Sequence, residues 1–123
     1  MGRAGGGAPL SPEQIAVLRR LLAANDRRRA VAAYRALLAF DSRGWLGEIA
    51  APTLVVCGAA DTAVPRWHAE LLARGIRGAE LRVVPGAGHF LIWTHPDRLV
   101  EHVEEWLARG TAEQGAATSL GGR

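Results

Sequence analysis

Apolar positions along this chain follow two patterns, one of helical period and one of short unbroken runs. Ser11-Pro12-Glu13-Gln14 opens the first helical stretch. Ser11 suits the cap, Pro12 the first helical position and Gln14 the far corner of a capping box. Ile15, Leu18, Leu21 and Leu22 then recur on one face. Asn25 and Asp26 break this helix and cap a second, whose apolar face is Val31, Tyr34, Leu37 and Leu38. Asp41-Ser42-Arg43-Gly44 reads as a turn. Pro65 opens a third helix with Trp67, Leu71 and Leu72 facing inward, ending near Gly75. His95-Pro96 starts a last one with Leu99, Val100, Val103, Trp106 and Leu107 in a continuous stripe, stopped by Gly110. The unbroken runs, Thr53–Cys57 and Leu81–Val84, have the length and branching of buried strands.

Strand, helix, strand over residues 53–84 makes one βαβ unit, parallel and right-handed, so the fold class is α/β. Parallel strands are ordinarily covered on both faces and flanked by more strands. Two alone leave two open edges and a small core. The sheet therefore reads as incomplete, its missing strands belonging elsewhere or to a partner chain. Along the chain this gives a disordered lead-in over 1–10, a helical segment over 11–44, an α/β segment over 45–109 and a disordered tail over 110–123.

Composition changes the picture little. At 123 residues, 49% hydrophobic and 22% charged, there is room for one small domain. All basic residues are arginine, and the net charge is only +3. The cluster Arg27-Arg28-Arg29 has no interleaved aromatics and reads as a solvated helix start, so no nucleic-acid partner is expected. No run approaches a membrane span and the opening residues lack a signal-peptide core, which makes a cytoplasmic location the expectation. Cys57 is the single cysteine and reads as a small, buried, inert strand residue. His68, His95 and His102 read as surface histidines, no metal-binding spacing occurs, and no cofactor is implied.

The candidate chemistry sits where each strand ends. Residues 52–61 read PTLVVCGAAD and residues 81–89 read LRVVPGAGH, so each apolar run passes through a glycine turn and delivers one polar group, Asp61 and then His89. Open α/β sheets build their sites at the C-terminal ends of strands. Alone, Asp61 could merely cap the following helix and His89 could be a loop histidine. Together at two strand ends, Asp61 then His89 follows the order of the tail of a Ser…Asp…His triad. A base needs one ring nitrogen oriented by a fixed acceptor, and a buried carboxylate also stabilises the imidazolium. Phe90 and Trp93 follow closely and could line a pocket or belong to the core, with the core reading favoured.

The ordered set Ile49, Pro52-Thr53-Leu54-Val55-Val56, Gly58, Asp61, Pro65, Pro85-Gly86-Ala87-Gly88-His89, Pro96 and Trp106-Leu107 resembles the C-terminal portion of the α/β-hydrolase fold family. The helices before Phe40-Asp41 are similar to the end of the cap that many members carry. This resemblance implies two parallel strands with flanking helices, preceded by cap-like helices, with Asp61 as triad acid and His89 as base. It also implies, for a complete enzyme, a small-molecule ester, lactone or epoxide substrate. The nucleophile is missing: Ser11, Ser42 and Ser119 lie in LSP, DSR and TSL, none at a strand-to-helix elbow, and no G-x-S-x-G occurs. The oxyanion-hole loop is missing too. The chain accordingly reads as a truncated or partial hydrolase with little activity alone. The alternatives are a non-catalytic or split-hydrolase subunit docking to a partner through its open sheet edge, or a poorly folding remnant.

Overall fold

The computed structural model of the chain describes residues 6–120. Its elements are α1 (Pro12–Ala23), α2 (Arg27–Ala39), a single 3₁₀ turn (Leu46–Glu48), β1 (Leu54–Gly58), α3 (Trp67–Gly75), β2 (Glu80–Val84), α4 (Leu91–Thr94) and α5 (Pro96–Leu120). β1 and β2 pair in parallel, in register from Leu54 opposite Glu80 to Gly58 opposite Val84. Both strands are bounded within one residue of where the apolar runs place them. Among the described residues they form the whole sheet.

The core is small: Leu46, Ala69, Ile76, Val84 and Ala87. Cys57, expected to be buried, is only half-buried, since so short a sheet leaves part of each strand uncovered. α3 packs on the sheet through Ala69 and the Ile76 that follows its last turn, two helical turns apart. The 3₁₀ turn drops Leu46 onto the end of α3, where Gly75 leaves room. A Cβ at Gly75 would stand 2.6 Å from Leu46 Cδ1. Trp67, expected on the inner face of this helix, is 54% exposed and stacks on His68 with ring centroids 3.5 Å apart. The inward-facing arc runs through positions 69, 72 and 76, and the first residue of the helix falls outside it.

α1 carries the capping box its sequence promises: Gln14 N–H donates to Ser11 Oγ at 3.2 Å, and Ser11 N–H donates to Gln14 Oε1 at 2.8 Å. Asp26 caps α2 through Arg29 N–H at 2.9 Å. Neither helix buries a residue. Leu22, Tyr34, Leu37 and Leu38 are all more than 60% exposed, so the apolar faces of α1 and α2 form without a covering layer. Local capping and propensity suffice to write these helices, and their packing partner is not among the described residues.

α5 runs past Gly110 to Leu120, so the expected stop at Gly110 is not taken. An interior glycine costs a helix about 1 kcal/mol relative to alanine. Only part of the predicted stripe on α5 is covered: Leu99 and Trp106 are half-buried, whereas Val100 and Leu107 are more than 50% exposed. His102, expected at the surface, is half-buried on the covered side, and its enclosed Nδ1 has no hydrogen-bond partner among the described residues. It lies three residues from Leu99 and four from Trp106, which puts it on their face.

Of the lead-in expected to be disordered, residues 1–5 lie outside the described residues. Gly6–Ala8 instead lie against the turns at the C-terminal end of the sheet, with Ala8 N–H donating to Gly86 O at 3.1 Å. Positions 121–123 of the expected tail also lie outside the described residues. Among the described residues no helix is long and apolar enough to cross a membrane.

Candidate active site

β1 ends at Gly58, and the chain turns there because nothing larger fits. A Cβ on Gly58 would overlap the Ala87 carbonyl oxygen and lie 2.7 Å from its carbonyl carbon. The two strand-end turns are clipped together by Ala59 N–H to Val84 O at 3.0 Å and Ala60 N–H to Ala87 O at 2.9 Å. Ala87, completely buried, is the residue on which they close. Gly86, at φ +72°, supplies the left-handed step that brings the second turn back over the sheet.

Asp61 follows the first turn with its side chain 11% exposed. Its two oxygens do different work. Oδ1 accepts from the Ala63 and Val64 amides, both at 2.9 Å, which closes the turn ahead of α3. Oδ2 lies 3.1 Å from His89 Nδ1. The helix-capping alternative is not met, since Arg66 stands at the N-cap of α3 without a side-chain cap, while Asp61 closes its own turn and faces His89. Burial pushes the Asp61 carboxyl up, but the Val64 amide, the His89 ring and the Ala63 amide together hold it below its ordinary value. An ionised Asp61 accepts a hydrogen bond from Nδ1–H and leaves His89 Nε2 with its lone pair free.

His89 is 42% exposed, and Phe90 meets its ring edge-on at 5.6 Å. Phe90 in turn stacks on Trp93 at 6.0 Å. Both are half-buried, so they neither sit wholly in the core nor stand free. Trp93 also carries a contact the sequence pattern does not reveal: its carbonyl accepts from Gln14 Nε2 at 2.9 Å, tying α1 to the short α4. The capping box disguises this, because it already accounts for Gln14.

Among the described residues no other group supplies a nucleophile. Burial raises the Cys57 thiol above its ordinary value, with Arg66 opposing and Glu70 and Asp61 adding to the rise, so it stays protonated near neutrality. Ser11 is engaged in capping α1, and Ser42 lies in the turn before the 3₁₀ segment, with its carbonyl accepting from the Trp45 and Leu46 amides. His68 pairs with Trp67 by stacking, and His95 Nδ1 lies 2.8 Å from Thr94 Oγ1. What remains is the Asp61–His89 pair, joined through Oδ2 and Nδ1, with the His89 side chain 42% exposed.

This chain is similar to several hydrolases over about half of its length. It is 44% identical over 64 residues to a 2-hydroxy-6-oxononadienedioate/2-hydroxy-6-oxononatrienedioate hydrolase of Klebsiella pneumoniae, a match covering 52% of this chain and 22% of that one. It is 39% identical over 74 residues to a 2-hydroxy-6-oxo-6-phenylhexa-2,4-dienoate hydrolase of Burkholderia cepacia, covering 60% and 26%. A solved structure of an N-acyl homoserine lactone degrading enzyme matches with 40% identity and a TM-score of 0.49, covering 51% of this chain and 24% of the other. The chain therefore spans about a quarter of the length of the curated relatives it matches. The pattern of the alpha/beta hydrolase family matches residues 3–102, most of the chain. On that match, with the parallel β1–α3–β2 unit and its strand-end turns, the chain belongs to the alpha/beta hydrolase family.

Proposed function

We propose that this chain contributes the acid–base half of a hydrolytic triad, with His89 as general base and Asp61 holding its ring. The nucleophile then comes from a segment beyond these residues. The observation carrying this reading is the two-sided use of Asp61: Oδ1 is fixed by two backbone amides, and Oδ2 faces His89 Nδ1 at 3.1 Å. A carboxylate so anchored can fix the tautomer and direction of the imidazole, which is what a base for an incoming hydroxyl requires. The substrate class we assign is a small-molecule carbonyl compound: an ester, a lactone or an oxo-acid. The curated relatives act, by their names, on 6-oxo dienoates and related oxo-acids. An epoxide is a less favoured member of the range.

Complementation tests this reading. The 123-residue chain alone should turn over a p-nitrophenyl ester no faster than buffer. Co-refolded with the part of the Klebsiella relative that carries its nucleophile, it should gain esterase activity, and His89→Ala should remove about 10²–10⁴ of that rate. Activity of the chain alone that depends on His89 would sink the external nucleophile. A complemented activity indifferent to His89→Ala would sink its role as base.

A second reading has its own support: the outer edges of β1 and β2 are unpaired among the described residues, and the apolar faces of α1 and α2 are bare. Unpaired edges invite another strand. In this reading the chain is one subunit of a split hydrolase whose partner supplies strands and nucleophile. Co-expression with such a partner should yield a stable heteromer by size-exclusion chromatography, and a well-folded, soluble monomer would argue against it.

A further inference from the structure

Residues Gly6–Ala8 lie across both turns that carry the acid–base pair. Ala8 N–H donates to Gly86 O at 3.1 Å. Gly7, at φ +75°, is pressed so closely onto the second turn that a Cβ would overlap the Gly88 amide nitrogen and lie 2.7 Å from the Ala87 carbonyl carbon. Gly6, at φ +68°, is pressed onto the first turn, where a Cβ would overlap the Ala60 carbonyl oxygen and stand 3.1 Å from Thr62 Cγ2. All but one of these neighbours are backbone atoms, which cannot swing aside. Ala87 is consequently enclosed, with Gly58 and Gly7 both against it.

We propose that Gly6–Ala8 form a positioning strap that holds the His89 turn at hydrogen-bonding distance from Asp61. The two turns are joined to each other by few bonds, and the Ala60–Ala87 bond is the last before the side chains themselves. His89 is 42% exposed, and Phe90 is the ring that meets it, so apart from Asp61 itself little besides the backbone of residues 86–88 fixes where it points. The strap bears on that backbone from one side and on the Asp61 turn from the other. Glycine suits both Gly6 and Gly7 here, because each has a left-handed φ and each meets backbone where a side chain would stand. Their importance to this chain rests on the acid–base role proposed for the pair, but the arrangement can be tested without turnover.

The experiment uses the isotopically labelled 123-residue protein with Gly7→Ala and Ala8→Pro, the second of which removes the donor to Gly86 O. Gly44→Ala is the control, since an added Cβ there meets nothing within 4 Å. In both strap variants the Asp61 carboxyl should titrate higher, toward the ordinary carboxylate range, as it loses His89. The His89 ring nitrogens should move toward solvent-like shifts. Exchange of the Ala60 amide should speed up about tenfold, the loss of one backbone hydrogen bond. Folded variants with wild-type circular dichroism and unchanged Asp61 and His89 signals overturn the strap. Where Gly7→Ala does not fold, Ala8→Pro decides. Collapse of both also overturns it, because the segment would then be part of the core and not a positioning element. Failure here leaves the complementation test of His89 intact, and the reverse holds too.

Discussion

Replacing Asp61 with asparagine keeps the shape of the site and inverts one donor. The amide oxygen of the Asp61→Asn side chain can still accept from Ala63 and Val64 N–H, which lie 2.9 Å from Oδ1 in the wild type. The other terminus becomes an NH₂ group facing His89 Nδ1, where a carboxylate oxygen sat at 3.1 Å. The ring must then accept at Nδ1 and carry its proton on Nε2, the nitrogen meant to receive the proton of a nucleophile. Hydrogen bonds to a charged acceptor contribute roughly 1.5–3 kcal/mol and neutral ones roughly 0.5–1.5. Two bonds weakened and one reversed, offset in part by the easier burial of a neutral amide, give a net loss of about 1–2 kcal/mol at neutral pH. The loss depends on pH in a definite direction. The carboxyl of Asp61 is held below its unfolded value. Its contribution is complete above the unfolded pKa of about 3.9 and fades as pH falls through the lower folded pKa. The gap between wild type and Asp61→Asn in urea melts should therefore be full at about pH 6 and close as pH falls below about 3.9. Long-range ¹⁵N correlation spectra of the neutral ring should show the proton on Nδ1 in the wild type and on Nε2 in the variant. In a complemented enzyme the wrong tautomer should cost about 10⁴ in kcat. A wild-type ring already protonated at Nε2, or a variant with an unchanged tautomer, refutes the orienting role of Asp61.

Single contacts carry the remaining expectations. Gly58→Ala drives a methyl into the Ala87 carbonyl, so urea titration should show a destabilisation of about 2–4 kcal/mol from overpacking and loss of the Ala60–Ala87 bond. A change under about 0.5 kcal/mol contradicts the close approach. Cys57, with its thiol held up by burial, should react with iodoacetamide at mildly alkaline pH more slowly than free cysteine, and at the unfolded rate once urea is added. His102→Phe removes an enclosed nitrogen that has no partner among the described residues and should raise stability by about 1 kcal/mol in thermal melts. A drop of similar size would mean that a partner for Nδ1 exists.

The elements are legible in the sequence wherever local chemistry decides them. Ser11 with Gln14, Asp26, and the two unbroken apolar runs each write their own boundary, and α1, α2, β1 and β2 lie where those signals put them. The pairing of Asp61 with His89 is legible for another reason: a βαβ unit has one hand and one direction, so its two strand-end turns must be neighbours. Burial is less legible, because periodicity names the apolar face without saying what will cover it. Trp67 and His102 exchange their expected places, since which arc of a helix is covered depends on how far a two-stranded sheet reaches beneath it. The strap is hidden because a glycine run reads as disorder by composition. Its signal, several adjacent glycines ahead of a capped helix, acquires meaning only when the backbone it touches is known.

The Asp61–His89 pair can be assembled in so small a piece of a fold because the contacts that build it are short in range. Everything that fixes Asp61 comes from residues 58–64 and from the turn at 84–89, apart from the strap. None of it calls on α1, α2 or the solvent-facing side of α5, whose apolar residues stand bare. Formation of the acid–base pair and completion of the core are therefore separable steps. The first needs the β1–α3–β2 unit, the closure of two glycine turns on Ala87 and the strap laid across them. The second needs apolar surface that the described residues do not contain. A division of this kind makes complementation physically reasonable: the incoming portion would find the base already oriented, and its own binding energy would go into covering the sheet and the helices.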